Sequence, residues 1–140
     1  MILLDTNVIS ELMRAQPARS VLEWFAEQDA SDLFISAITE AELRTGIAIM
    51  PTGQRRDRLQ LALDAMIDED FQERVLSFDS PAARAYADIA AQRRLAGRPI
   101  TEADCQIAAI ARTLDAPIAT RNTKDFDGCG ITVINPWNDQ

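Results

Sequence analysis

The chain alternates between short apolar runs and longer stretches whose apolar residues recur at helical spacing. Ile2-Leu3-Leu4 is an unbroken apolar triplet, the pattern of a strand covered on both faces. Asn7 to Met13 reads as a helix, and a second starts at Pro17 with Val21, Leu22 and Phe25 on one face. Leu33-Phe34-Ile35 is the next strand. A helix follows from Thr39 to Met50 and stops at Pro51-Thr52-Gly53. Gln54 to Met66 forms another helix, with Leu59, Leu63 and Met66 at helical intervals. Val75 to Phe78 is a third strand. Ser80-Pro81 then opens a helix that runs to Leu95 and is stopped by Gly97. Thr101 to Leu114 is the most apolar helix, dense enough in alanine to predict close helix packing. Pro117 to Thr120 and Ile131 to Ile134 complete the set of strands, the last ended by Asn135-Pro136.

Strands that alternate with helices predict an α/β fold: a central, mostly parallel five-stranded sheet with helices on both faces. The length, 140 residues with no repeat or linker, predicts a single domain over 1–140. In such a fold ligands bind beyond the C-terminal ends of the strands. That rule selects the acids to watch. Asp5 follows the first strand, Glu42 sits in the helix after the second, and Asp104 opens the helix before the fourth. Thr120-Arg121-Asn122-Thr123-Lys124-Asp125 leaves the fourth strand directly.

Composition narrows the chemistry. The chain has no histidine, which excludes Ser-His-Asp and Cys-His catalysis and histidine-bound zinc. Two cysteines, Cys105 and Cys129, are too few for a disulfide framework and point to a reducing, cytoplasmic setting. No apolar run approaches the ~18 residues of a membrane span, and the N-terminus lacks the basic region of a secretory signal. A net charge of −8 is not the footprint of a nucleic-acid binder. Either the acids gather at a metal site, or the partner is a basic protein.

Hydrolysis here must rest on carboxylates. Gathered carboxylates repel, and a hard cation such as Mg2+ relieves that by taking oxygen ligands. Each acid also has a plainer reading. Asp5 can cap the helix after it, Thr39 with Glu42 has capping-box spacing, Thr101 with Asp104 resembles it, and Asp125 can be a loop acid. Spacing alone leaves both accounts open.

Four ordered segments then resemble one family. Leu3-Leu4-Asp5-Thr6-Asn7-Val8-Ile9-Ser10-Glu11 is similar to the start of PIN-domain toxins of the VapC family, in their FitB-like branch. Ile35 to Gly46, with its Glu-Leu-Arg-x-Gly ending, resembles the second motif, and Ile100 to Ala111 the third. Ala119 to Phe126 resembles the fourth, and Val133-Ile134-Asn135-Pro136-Trp137 the terminal strand and tail. The resemblance implies a PIN-like α/β/α sandwich and a metal-dependent ribonuclease, the toxic half of a toxin–antitoxin pair. It implies Asp5, Glu42 and Asp104 as catalytic ligands of Mg2+, with Mn2+ able to substitute, and Thr6 and Thr120 as supporting hydroxyls. Asn122 departs from the family, which often has an acid there. Asp125 is the candidate to replace it as a catalytic acid, and the departure implies one tight metal and a weaker second. The resemblance further implies a homodimer, an RNA substrate such as tRNA, and a DNA-binding antitoxin whose basic tail fills the groove.

Arg121 and Lys124 are the candidate RNA contacts, because they lie beside the site. Arg44, Arg93, Arg94, Arg98, Arg55, Arg56 and Arg58 read first as solvated helix faces, and the scattered aromatics as core. Trp137 has no role that the sequence establishes. Two other functions compete: a PIN-like partner-binding module with weak catalysis, which Asn122 favours, and a phosphotransfer domain using Asp5 as nucleophile with Lys124 nearby. The second lacks an acid two residues after Asp5.

Overall fold

A computed structural model describes residues 1–138. Strands β1 (Ile2–Leu4), β2 (Leu33–Ser36), β3 (Val75–Leu76), β4 (Ile118–Ala119) and β5 (Val133–Ile134) form one five-stranded sheet in the order β3-β2-β1-β4-β5. Every pairing is parallel, so the sheet is more uniform than the mostly parallel one predicted. The helices are α1 (Thr6–Leu12), α2 (Arg19–Ala26), α3 (Ala37–Ala48), α4 (Gln54–Ala65), α5 (Ser80–Leu95) and α6 (Glu102–Thr113).

Alternation along the strands builds two cores. Leu4, Leu33, Ile35 and Ala119 face α1 to α4, where Val8, Ile9, Trp24, Leu43, Ile47 and Leu63 meet them. Leu3 and Ile118 face the other way, onto Ile89 of α5 and Ile107 to Ala111 of α6, with Phe34 packed on the same side. The result is an α/β/α sandwich. Ala108, Ala109 and Ala111 of α6 are fully buried, as dense alanine predicted, because a methyl side chain lets neighbouring helices close in.

The differences from the sequence reading are local. Pro17 does not begin α2; the helix starts at Arg19 after Ala18. Its inward residues are Val21 and Trp24, while Leu22 stays 45% exposed, so the apolar face is rotated from the one predicted. α3 begins at Ala37, earlier than Thr39, because Ser36 is its cap: the Ser36 hydroxyl accepts from the Thr39 N–H at 3.0 Å. α4 gives way after Ala65 to a wider turn, Met66–Asp70, closed by Phe71 N–H donating to the Met66 carbonyl at 2.9 Å. The extra residue in that turn brings Phe71 into the core, where it is 4% exposed. The last three strands are shorter than the apolar runs that announced them, since only two residues of each pair in the ladder.

The sheet's uniform direction matters most for function. Asp5 and Thr120 follow strands, and Ser36 ends one, on the same edge, and α6 begins at that edge before feeding β4.

Candidate active site

Asp5 leaves β1 and caps α1, its Oδ1 accepting from the Thr6 N–H at 2.8 Å. The capping reading of Asp5 is therefore present in the structure. It does not exhaust the carboxylate, because Oδ2 accepts from the Thr120 hydroxyl at 2.8 Å and from Asn7 Nδ2 at 3.2 Å. Thr120 is fully buried at the end of β4 and itself accepts from Asn7 Nδ2 and the Asn122 N–H, both at 3.1 Å. Asn7 closes the ring by accepting from the Arg121 N–H at 3.1 Å. The two chain segments that leave β1 and β4 are thus laced together around one carboxylate.

Glu42 is on the second turn of α3. Since Ser36 holds the cap, the Thr39–Glu42 pair is not the capping box its spacing offered. Glu42 Oε1 instead accepts from the Thr6 hydroxyl at 2.6 Å, and Thr6 Oγ1 lies 3.1 Å from the Thr39 hydroxyl. Asp104 lies in the first turn of α6, whose cap is Thr101, with the Asp104 N–H donating to Thr101 Oγ1 at 3.3 Å.

These three acids line one cavity of about 490 Å³, together with Thr6, Asn7, Ser10, Glu11, Arg14, Arg121, Asn122 and Trp137. Burial pushes the Asp5 carboxyl up to about 6, against the pull of its Thr120 and Thr6 hydrogen bonds and with help from the Asp104 and Glu42 charges. Asp104 is raised as well, first by burial and then by the Asp125 and Glu42 charges, with the Thr101 hydroxyl lowering it. The cavity thus holds charge at a cost that its own donors do not cancel.

Asp125 and Lys124 stand apart. Both are exposed on a short 3-10 turn (Thr123–Phe126) and neither lines the cavity, although the Asp125 charge reaches Asp104. Thr120 lies under Asp5 as its donor, and Asn122 is on the cavity wall. Arg93 corrects the expectation of a solvated face. It is buried on α5 and donates to the carbonyls of Arg98, Asp125 and Asp127 at 2.7, 2.9 and 3.0 Å, which fixes the turn carrying Asp125.

The sequence reading assigned no role to Asn7, Glu11 or Arg14. Glu11 is a buried cavity acid held below the usual carboxylate range by the Ala18 N–H and the Arg14 guanidinium. Its signal was its place one turn beyond Asn7 on the same helix.

The donor set around Asp5 is oxygen only, from carboxylates, hydroxyls and amides, in a chain without histidine. That chemistry fits a hard divalent cation, and so does the elevated Asp5 carboxyl, which a cation would return to its charged form. Among the described residues, no three acidic or thiol side chains stand close enough together to hold a metal ion as they are placed. The acids surround the cavity, and Glu42 is turned onto Thr6.

The sequence profile of the PIN domain matches residues 2–128. The chain is 49% identical to plasmid stability protein StbB of Pseudomonas syringae pv. tomato, over 98% of this chain and 99% of that one. It is 48% identical to VapC ribonuclease Y4jK of Sinorhizobium fredii, over 98% of both, and 42% identical to toxin FitB of Neisseria gonorrhoeae, over 99% of this chain and all of that one. The crystal structure of FitAcB from Neisseria gonorrhoeae superposes with a TM-score of 0.93 at 42% identity, covering 99% of each chain. With its parallel sheet, its acid-lined rim and these relatives, the chain belongs to the PIN-domain family, within its VapC group.

Proposed function

We propose that this chain is a Mg2+-dependent ribonuclease that hydrolyses RNA phosphodiester bonds and serves as the toxin of a toxin–antitoxin pair. One observation carries the reading: Asp5, Glu42 and Asp104, from three distant parts of the chain, line one cavity at the C-terminal edge of a parallel sheet. Relatives named as a ribonuclease and a toxin support it.

In this reading Asp5, Glu42 and Asp104 hold the divalent cation. When bound, the cation polarises the phosphodiester and promotes attack by water. The protein's own residues do the positioning. Thr120 and Asn7 fix one Asp5 oxygen, and Thr6 N–H fixes the other. Thr6 also holds Glu42 toward α1, on the cavity wall. Asn122 adds an amide where a further acid would add charge, so a single tightly held cation is proposed. Asp125 lies outside the cavity and contributes through its field on Asp104. The whole chain is proposed to be one domain, to act in the cytoplasm and to pair as a homodimer. A DNA-binding antitoxin with a basic tail complements the cavity's acids. tRNA is the first substrate class to assay. No helix among the described residues is long and apolar enough to cross a membrane.

Purified chain freed of any partner is expected to cut RNA with Mg2+ or Mn2+, to stop with EDTA, and to lose about a thousandfold or more in rate on Asp104→Asn. Equal cleavage by wild type and Asp104→Asn contradicts the reading. Asn122 also keeps a second reading in view, a partner-binding module with weak catalysis. Growth arrest on induction that persists undiminished in Asp104→Ala would favour that module.

A further inference from the structure

The acidic cavity sets a problem that its carboxylates do not solve. A phosphodiester must approach Asp5, Glu11, Glu42 and Asp104 on a chain whose net charge is −8. Like charges repel it; the proposed divalent cation offsets part of that repulsion, and a cationic side chain beside the acids would offset more. Two arginines line the cavity. Arg14 is engaged with Glu11 at 3.2 Å. Arg121 is different. Among the described residues its guanidinium makes no ion pair and donates no hydrogen bond, although it lines the same cavity as those acids.

The Arg121 main chain is nevertheless fixed. Its N–H donates to Asn7 Oδ1 at 3.1 Å, and the N–H of the preceding Thr120 donates to the Ile134 carbonyl at 2.8 Å. Its guanidinium carbon sits 5.3 Å from the centre of the Trp137 ring. Trp137 is half-buried against the core that holds α1, and its main-chain N–H donates to Asn135 Oδ1 at 3.0 Å. The indole is thus a seated platform, and the guanidinium is a flat group held over it at the cavity wall. A planar fork with uncommitted donors suits a phosphate, which it can take by two parallel hydrogen bonds. Lys124 cannot do the same, because it is exposed on the turn beyond the cavity.

We propose that Arg121, seated on Trp137, is the phosphate-binding group of this site, taking the RNA backbone beside the acids, with Trp137 as its positioning residue. The inference depends on the ribonuclease reading only for the identity of the polyanion.

The test uses the full chain carrying Asp5→Asn, so that RNA is held without being cut. A short fluorescein-labelled single-stranded RNA is followed by anisotropy across a salt series. Adding Arg121→Ala is expected to weaken binding about tenfold, alike for RNAs of different sequence, and to lower the slope of log affinity against log salt by about one. Arg121→Lys keeps the charge and loses the plane, so it should keep the slope and bind roughly threefold more weakly. Trp137→Ala is expected to weaken binding by roughly fivefold, and Trp137→Phe, which keeps a ring, to return it to within about twofold. An unchanged slope in Arg121→Ala, or no measurable RNA binding at all, overturns the proposal. So does Trp137→Phe no better than Trp137→Ala at equal melting temperature. If Arg121→Ala leaves RNA affinity intact and instead weakens binding of poly-L-glutamate, the platform serves an acidic protein and the proposal fails. Cleavage by the wild-type chain is scored separately. Cutting with no Arg121 effect on binding removes this inference alone, while RNA held through Arg121 and never cut removes the ribonuclease reading alone.

Discussion

Asp5 carries its charge where the fold makes charge expensive. It is 4% exposed, and burial outweighs the hydrogen bonds from Thr120 and Thr6 that favour the anion. The folded protein therefore holds a proton there more tightly than the unfolded chain does. Stability from this group is full below about pH 4 and is lost as pH rises through about 6, amounting to about 3 kcal/mol in the metal-free protein. Melting temperature in EDTA should accordingly fall between about pH 4 and 6 and level off above that, and Asp5→Asn should flatten that fall. An identical pH slope in the variant would show that Asp5 is not the group responsible. The acids themselves were legible in the sequence, because their places after strands and at helix starts follow from the alternation of elements. Trp137 was not, and Glu11 offered only its place one turn beyond Asn7 on the same helix. What defines them is the company they keep, Ala18 for Glu11 and Arg121 for Trp137, and no local pattern announces a contact between residues 121 and 137.

At the scale of elements, α3 shows how a correct helix can carry a misread start. Thr39 and Glu42 have capping-box spacing, yet Ser36 is the cap, and this frees Glu42 to reach Thr6. Capping-box spacing is satisfied by chance in many helices, and only the strand's end decides which hydroxyl stands at the boundary. Ser36 is fully buried and its hydroxyl satisfies the Thr39 N–H, so Ser36→Ala should cost about 1–2 kcal/mol. Thermal or urea unfolding measures this, and a loss under about 0.5 kcal/mol would return the cap to Thr39. Helix positions were otherwise readable from apolar period. Strand ends were less so: the sequence reading ran the last strand over Ile131 to Ile134, and only Val133 and Ile134 pair in the ladder.

For the whole molecule, the decisive property is convergence. Residues 5, 42 and 104 belong to α1's cap, α3 and α6, and only a parallel sheet with every strand ending on one edge brings them to one cavity. Two cores, one on each side of the sheet, hold those elements in place: Leu3 anchors one and Leu4 the other, immediately before Asp5. The fold class was legible from alternation alone. The gathering of the acids was legible only as a rule about strand ends, since sequence spacing carries no distances. The net charge of −8 takes its meaning here too, as part of it is concentrated in this one cavity. The central claim is tested most directly by titrating Mn2+ into partner-free protein at neutral pH and following it calorimetrically. Asp5→Asn, Glu42→Gln and Asp104→Asn should each weaken binding at least about tenfold, and any two together should lose less than the sum of the singles, because they share one ion. Three variants that bind Mn2+ as the wild type does would contradict the account.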